Sequence, residues 1–296
     1  MLSRKWRIRI RYLSGFFKLI RLNNLLIIIF TQYLVRIFLT GPKESWKTII
    51  ADPHLFLLSL STLIMASAGY MINDYYDVKI DTINKPRDVV VGRLFRRRRV
   101  LIFNIALNLL GILLGFYLSI SVGIINILAG FFLWLYSNQL KRLPFVGNFT
   151  IAALTALSLL IVLAYFPEKH LRVFTFAIFA FFISLIREII KDIEDMKGDA
   201  TFGCKTLPIL WGIRRTKNLI YFLIIDLFVL LAAFGYYLKV FWNVQFLIIY
   251  GTVFVIIPLL FFNYKLYGAD TKKDFKYLSS LCKMIMLGGV TTIMLM

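Results

Sequence analysis

Nine stretches of this chain, near residues 22–39, 54–73, 100–118, 122–139, 149–166, 171–190, 218–238, 242–263 and 277–296, are apolar almost throughout. Each is close to the roughly 20 residues a helix needs to cross a bilayer. A chain in hydrocarbon must satisfy its own backbone hydrogen bonds, so such runs admit one fold class: an all-α, polytopic membrane protein with nine transmembrane helices. Composition agrees, with 60% hydrophobic residues, 17% charged residues and a mean hydropathy of +0.79. A soluble helical enzyme would show shorter amphipathic helices, typically of about 10–14 residues. No linker interrupts the pattern. Residues 1–296 read as a single transmembrane domain, opened by a basic arm over residues 1–21, with no cleavable leader expected ahead of the first span.

The formal charge of +20 raises the question of nucleic acid, but the basic residues are spread over the loops between apolar runs instead of forming a stripe or motif. Their distribution is topological. On one side of the nine spans, residues 1–21, 75–99, 139–148, 187–218 and 264–276 hold 28 Lys and Arg; the other side holds five, Lys43, Lys47, Lys169, Arg172 and Lys239. The excess of positive charge on cytoplasmic loops then places the N-terminus in the cytoplasm. The protein is expected to be an integral, multi-pass membrane protein, in the plasma membrane if bacterial. The expected partners include membrane lipids but no nucleic acid, and no protein partner is evident. Cys204 and Cys282 have no metal-binding or disulfide spacing. Trp6, Trp46, Trp211 and Trp242, near span ends, read as interfacial anchors.

The acids obey a different rule. Of 15 Asp and Glu, nine fall within residues 74–88 and 188–199. Asp74, Asp77 and Asp81 are spaced i, i+3, i+7, which on a helix gathers them within an arc of roughly 60°. Asp192, Asp195 and Asp199 repeat that spacing four spans later. In both places an apolar helix leads into an acidic triplet and then a basic loop. This weak internal repeat predicts a pseudo-twofold arrangement with both triplets facing one cavity.

A single acidic triplet at a helix end is most simply a solvated cap, and two matched triplets are not. Carboxylates beside an apolar span are costly and mark function. Carboxylate oxygens suit Mg²⁺, which is commonly held by one or two carboxylates together with substrate phosphates. Asn73 adds an amide next to the first triplet. Lys85, Arg87, Arg93, Lys141, Arg142 and Lys205 follow the acidic segments or the fourth span and are candidates for the phosphate oxygens that metal leaves uncovered. Each has the simpler reading of a headgroup or topology charge, which is preferred for Arg96–Arg99.

These residues also carry a family resemblance. Asn73-Asp74-x-x-Asp77-x-x-x-Asp81, followed by Asn84-Lys85-Pro86, resembles the first aspartate motif of the UbiA superfamily of intramembrane prenyltransferases. Asp195-x-x-x-Asp199-x-x-x-Gly203, continuing through Lys205-Thr206-Leu207-Pro208, resembles the second. The resemblance implies nine helices bundled around a central cavity. It also implies catalytic Asp74, Asp77, Asp195 and Asp199, and Mg²⁺ bound by Asp74, Asp77, Asp81, Asp195 and Asp199. Asp192 matches an aspartate-rich version of the second motif and joins the metal ligands. Tyr136 with Lys141 is similar to a fourth-helix Tyr and Lys near the diphosphate. Arg21-Leu22-Asn23-Asn24 resembles the family's Arg-Pro-x-Asn, with Leu22 in place of Pro. The expected diphosphate contacts are therefore Asn73, Lys85, Arg93, Tyr136, Lys141, Lys205, Arg21 and Asn24. Arg87-Asp88-Val89 departs from the family's usual x-Arg-Pro.

The resemblance implies Mg²⁺-dependent transfer of an isoprenyl group from a prenyl diphosphate donor to a lipophilic acceptor. Positive charge stabilises the leaving diphosphate, and a dry aromatic environment protects the allylic cation. The run Arg187–Asp199 is most similar to the branch that geranylgeranylates geranylgeranylglyceryl phosphate on the way to ether lipids; an aromatic acceptor in quinone synthesis is the alternative. A cation or phosphorylated-solute transporter would need charged residues at mid-membrane, whereas the acids here cluster at one face and Asp226 is the one acid well inside a span.

Overall fold

In the computed structural model, which describes residues 4–41, 46–167, 170–242 and 245–296, the elements are helices joined by short turns. They run α1 (Arg4–Leu19), α2 (Leu22–Leu34), a five-residue α3 (Trp46–Ile50), α4 (Pro53–Asn84), α5 (Arg97–Leu118) and α6 (Ile120–Asn138). The second half holds α7 (Val146–Tyr165), α8 (His170–Thr201), α9 (Leu207–Trp242), α10 (Gln245–Gly251), α11 (Ile257–Tyr267) and α12 (Lys272–Thr291). A π-helical turn extends α2 through Val35–Thr40, and another joins α10 to α11 across Thr252–Ile256. Among the described residues nine helices are long and apolar enough to cross a membrane, matching the nine apolar runs one for one. Lys43 and Lys169, counted on the sparsely charged side, lie outside the described residues, as do the side chains of Lys239 and Trp242.

Three helices exceed their apolar runs, for local reasons. α4 starts where Pro53 occupies the first turn and the Asp52 carboxylate accepts from His54 N at 2.9 Å. It continues through both Asn73 and the first triplet, and stops only at Asn84, ahead of Pro86, because the residue before a proline disfavours the helical region. α8 likewise runs through the second triplet to Thr201. There Gly203, with φ 71°, turns the chain, and Cys204 N donates to Asp199 O at 3.0 Å. α9 begins at Leu207 rather than near 218. Arg214, Arg215 and Lys217 depress the hydropathy of its first turns, and Gly212 (φ 77°, ψ 162°) breaks the helix there.

Packing resolves two compact units: Met1–Phe30 with Ala51–Leu140, and Thr31–Ile50 with Lys141–Met296. In the first, α4 packs against α5 and α6. Without a hydrophobic drive between helices in lipid, close approach comes from small residues and interhelical amides. A Cβ on Gly111 would meet the Met65 sulfur at 2.6 Å, and one on Gly115 would meet Asn126 Nδ2 at 2.6 Å. Asn126 donates to Gly111 O at 2.8 Å, and Asn104 to Ala68 O at 2.6 Å. A separate apolar cluster of Leu19, Ile20, Leu25, Met71, Val90, Val91 and Val100 fixes both the α1–α2 elbow and the turn after α4.

In the second unit α8 is the hub, packed by α7, α9 and α12. Its Ile183, Ile186, Ile189 and Ile190 are buried with Leu207, Phe262, Phe275 and Cys282. Arg36, in the π-helical turn, is also buried here; its guanidinium lies 4.0 Å from the centroid of the Phe166 ring and Nη1 donates to Thr40 O at 3.1 Å. The stacked ring offsets part of the cost of placing that charge in an apolar segment. Cys204 and Cys282 are both buried free thiols.

Candidate active site

The first acidic triplet sits in the last three turns of α4, its three carboxylates half-buried on one face. Arg21 reaches it from the elbow between α1 and α2. Its backbone is left-handed (φ 52°), its Nη2 donates to Asp74 Oδ1 at 3.0 Å, and its guanidinium lies over Tyr70, 4.9 Å from the ring centroid. Asn24, one turn along α2, donates to the Tyr70 hydroxyl at 3.4 Å. Arg21, Asn24, Tyr70 and Asp74 thus form one cluster, although Arg21 and Asp74 are 53 residues apart in sequence. Asn73 Oδ1 is buried and accepts no hydrogen bond among the described residues.

The turn after α4 is folded back and tied down. Lys85 N donates to Asp81 O at 2.8 Å, Arg93 Nη1 donates to Pro86 O, and Lys18 of α1 pairs with Asp88. Lys85 is half-buried and Arg93 exposed. Arg97, first of the α5 helix, stacks on Tyr75 at 4.7 Å and donates to Tyr75 O at 3.2 Å. Tyr136 is half-buried on α6, in the same unit.

The second triplet occupies the last three turns of α8. Asn148, at the start of α7, donates to Asp192 Oδ2 at 2.8 Å. Directly before the triplet, buried Glu188 accepts from Arg187 Nη1 at 2.6 Å and from Lys191 Nζ at 3.1 Å. The Lys205 amide donates to Arg142 O at 2.8 Å, bringing Lys205 alongside the Lys141–Arg142 turn that precedes α7. Asn148 and Glu188 were not singled out by motif spacing. The usable signal for Asn148 is an amide at the head of an apolar helix, where a polar group is kept for a partner.

Among the described residues no three His, Cys, Asp or Glu side chains converge as a group able to hold a metal by themselves. The donors present do suit Mg²⁺: each triplet offers hard carboxylate oxygens, and Asn73 Oδ1 is a buried oxygen with no other hydrogen bond. Mg²⁺ takes few protein ligands and completes its shell with water and phosphate oxygens.

The model of the UbiA prenyltransferase family matches residues 30–285. The chain belongs to the UbiA prenyltransferase family. It is a prenyltransferase, and with its nine apolar helices an integral, multi-pass membrane protein. Family relatives include the digeranylgeranylglyceryl phosphate synthase of Methanosphaera stadtmanae, 34% identical over 235 residues, spanning 79% of this chain and 84% of that protein. The synthase of the same name from Sulfurisphaera tokodaii is 35% identical over 208 residues, 69% of this chain and 72% of that one. The fold is similar to the solved UbiA homolog from Archaeoglobus fulgidus bound to DMAPP and Mg²⁺. That match has a TM-score of 0.68 at 16% identity and covers 95% of this chain and 100% of that one. UbiA membership sets aside the transporter reading; Asp226 is a half-buried residue within α9.

Proposed function

We propose that this chain uses Mg²⁺ to transfer a geranylgeranyl group from its allylic diphosphate to the free hydroxyl of geranylgeranylglyceryl phosphate. The observation that carries this reading is the 34% identity, over 79% of the chain, to a protein named for that product. Asp74, Asp77 and Asp81, with the Asn73 amide oxygen, and Asp192, Asp195 and Asp199 are assigned as Mg²⁺ ligands. Bound there, Mg²⁺ supplies Lewis-acid stabilisation of the departing diphosphate.

The chain's own residues do the remaining work. Arg21, Asn24, Lys85, Arg93, Tyr136, Lys141 and Lys205 bind diphosphate oxygens, adding donors where negative charge grows as the allylic C–O bond breaks. Asn148 orients Asp192. The apolar, aromatic-rich spans keep water from the allylic carbon, so that the acceptor hydroxyl forms the ether bond and loses its proton. The excess of Lys and Arg on one set of loops supports a cytoplasmic N-terminus, with both motifs on that side.

The test is transfer by the purified protein, read by mass spectrometry, with geranylgeranyl diphosphate, Mg²⁺ and either geranylgeranylglyceryl phosphate or 4-hydroxybenzoate. Digeranylgeranylglyceryl phosphate is the expected product, lost on chelation by EDTA and regained with added Mg²⁺. Transfer to the aromatic acceptor alone would replace the ether-lipid assignment with quinone-precursor synthesis, and transfer to neither would overturn both.

A further inference from the structure

Among the described residues only α1 and the five-residue α3 are α-helices outside the nine apolar spans. α1 is far from apolar: six of its 16 residues are Lys or Arg, and none is acidic. It nevertheless carries two apolar faces. The inner one is used in packing. Leu19 is buried with Met71, Val90, Val91 and Val100, and Phe16 meets Phe103 edge-on with ring centroids 6.3 Å apart. Tyr12 meets Phe95 at 5.8 Å, and a Cβ on Gly15 would meet Leu94 Cδ1 at 2.7 Å, so this side lies close along the turn after α4.

The second face has no such use. Trp6, Ile10, Leu13 and Phe17 are spaced i, i+4, i+7 and i+11, which on a helix gathers them within an arc of about 60°. That arc is centred roughly 150–170° round the helix from Gly15 and Leu19, and so points away from the turn. All four side chains are exposed, from 40% at Phe17 to 57% at Leu13. Arg9 lies on one flank of the stripe and Arg11 beyond the other, both exposed. The helix also sits at a membrane boundary. It ends at Leu19, two residues before Arg21 pairs with Asp74 in the last turns of α4, and the first apolar span starts at Leu22.

We infer that α1 is an in-plane anchor for a bilayer surface carrying anionic phospholipid. Trp6, Ile10, Leu13 and Phe17 enter the boundary between headgroups and acyl chains, and Arg9 and Arg11 reach back to the lipid phosphates, their apolar stems lying beside the stripe. Charge selects this occupant. A second copy of α1 would bring the same excess of cations and be repelled, whereas an anionic leaflet attracts every Lys and Arg held near it. Position agrees, because a helix that leads directly into the first span is already held at headgroup level. The anchor uses no residue assigned to metal, diphosphate or transfer.

The test measures depth in the full-length protein, reconstituted in nanodiscs of phosphatidylcholine with phosphatidylglycerol or of phosphatidylcholine alone. Nitroxides are attached singly through Ile10→Cys, Leu13→Cys, Arg11→Cys and Ser14→Cys; Cys204 and Cys282 are buried, and labelled wild type supplies the background. With phosphatidylglycerol present, labels at 10 and 13 should collide several-fold more often with oxygen than with a water-soluble nickel chelate, and labels at 11 and 14 the reverse. Omitting phosphatidylglycerol, or adding salt to screen the headgroups, should shrink that contrast. Nickel reaching both faces equally, or immersion that is the same in both membranes, overturns the inference. Dipolar coupling between Leu13→Cys labels on two copies also overturns it, by giving the stripe to a second molecule. Wild type supplies a reading that needs no variant: tryptic cleavage after Arg9 and Arg11, relative to cleavage elsewhere in the chain, should be several-fold slower with phosphatidylglycerol, and equal rates in the two membranes count against the anchor.

Discussion

α4 and α8 are both 32 residues long, and each carries an acidic triplet of the same spacing near its C-terminal end, with Asp74 ten residues before Asn84 and Asp192 nine before Thr201. They differ in what meets the acids. On α4 the first aspartate receives a full positive charge from a remote element, Arg21, in a pair 35% and 19% exposed. On α8 the corresponding aspartate accepts a hydrogen bond from a neutral amide, that of Asn148, and Arg187 and Lys191 nearby pair with Glu188 of the same helix. Matched spacing therefore does not imply matched roles. The first triplet is met by a guanidinium from a remote element, whereas the second adjoins a cluster in which Arg187 and Lys191 pair with Glu188.

The largest expected effect tests what the two helices share. Asp74→Asn and Asp195→Asn should each lower kcat by at least about a hundredfold, since each removes a carboxylate placed against developing charge. Near-wild-type turnover in either would remove that helix from the site. A smaller effect separates them. Arg21→Ala should raise KM for the allylic diphosphate by tens of times, whereas Asn148→Ala, which deletes one neutral donor, should cost only several-fold. The reverse order, measured in parallel titrations of donor, would mean that the amide and the arginine have exchanged importance. Smallest of all is Lys18→Ala: the Lys18–Asp88 pair is 46% and 57% exposed, so its loss should move stability by no more than about 0.5 kcal/mol. A drop of several degrees in melting temperature would show that the turn after α4 depends on it.

Much of this architecture was legible from residues alone. The nine apolar runs identify the spans because lipid leaves a helix no other way to satisfy its backbone, and the triplets read correctly as helical because their spacing has the helical period. Helix ends were less legible, since Arg214, Arg215 and Lys217 hide the first turns of α9 and only Gly212's left-handed backbone explains the break there. Partners were least legible. The pairing of Arg21 with Asp74 spans 53 residues, and that of Asn148 with Asp192 spans 44; no periodicity encodes contacts set by packing. Arg36 was visible as a charge in an apolar run, but its ring partner, Phe166, lies 130 positions further along the chain.

The elbow at Arg21 has a consequence for anyone seeking a hardier version of this enzyme. A left-handed backbone is where glycine is at ease and an L side chain loses about 1 kcal/mol or more. A library screened for heat resistance alone will therefore favour glycine at position 21, relaxing the turn while discarding the cation that Asp74 faces. Thermostability and turnover pull in opposite directions at this one residue, and selection on the first will erode the second unless catalysis is scored in the same round.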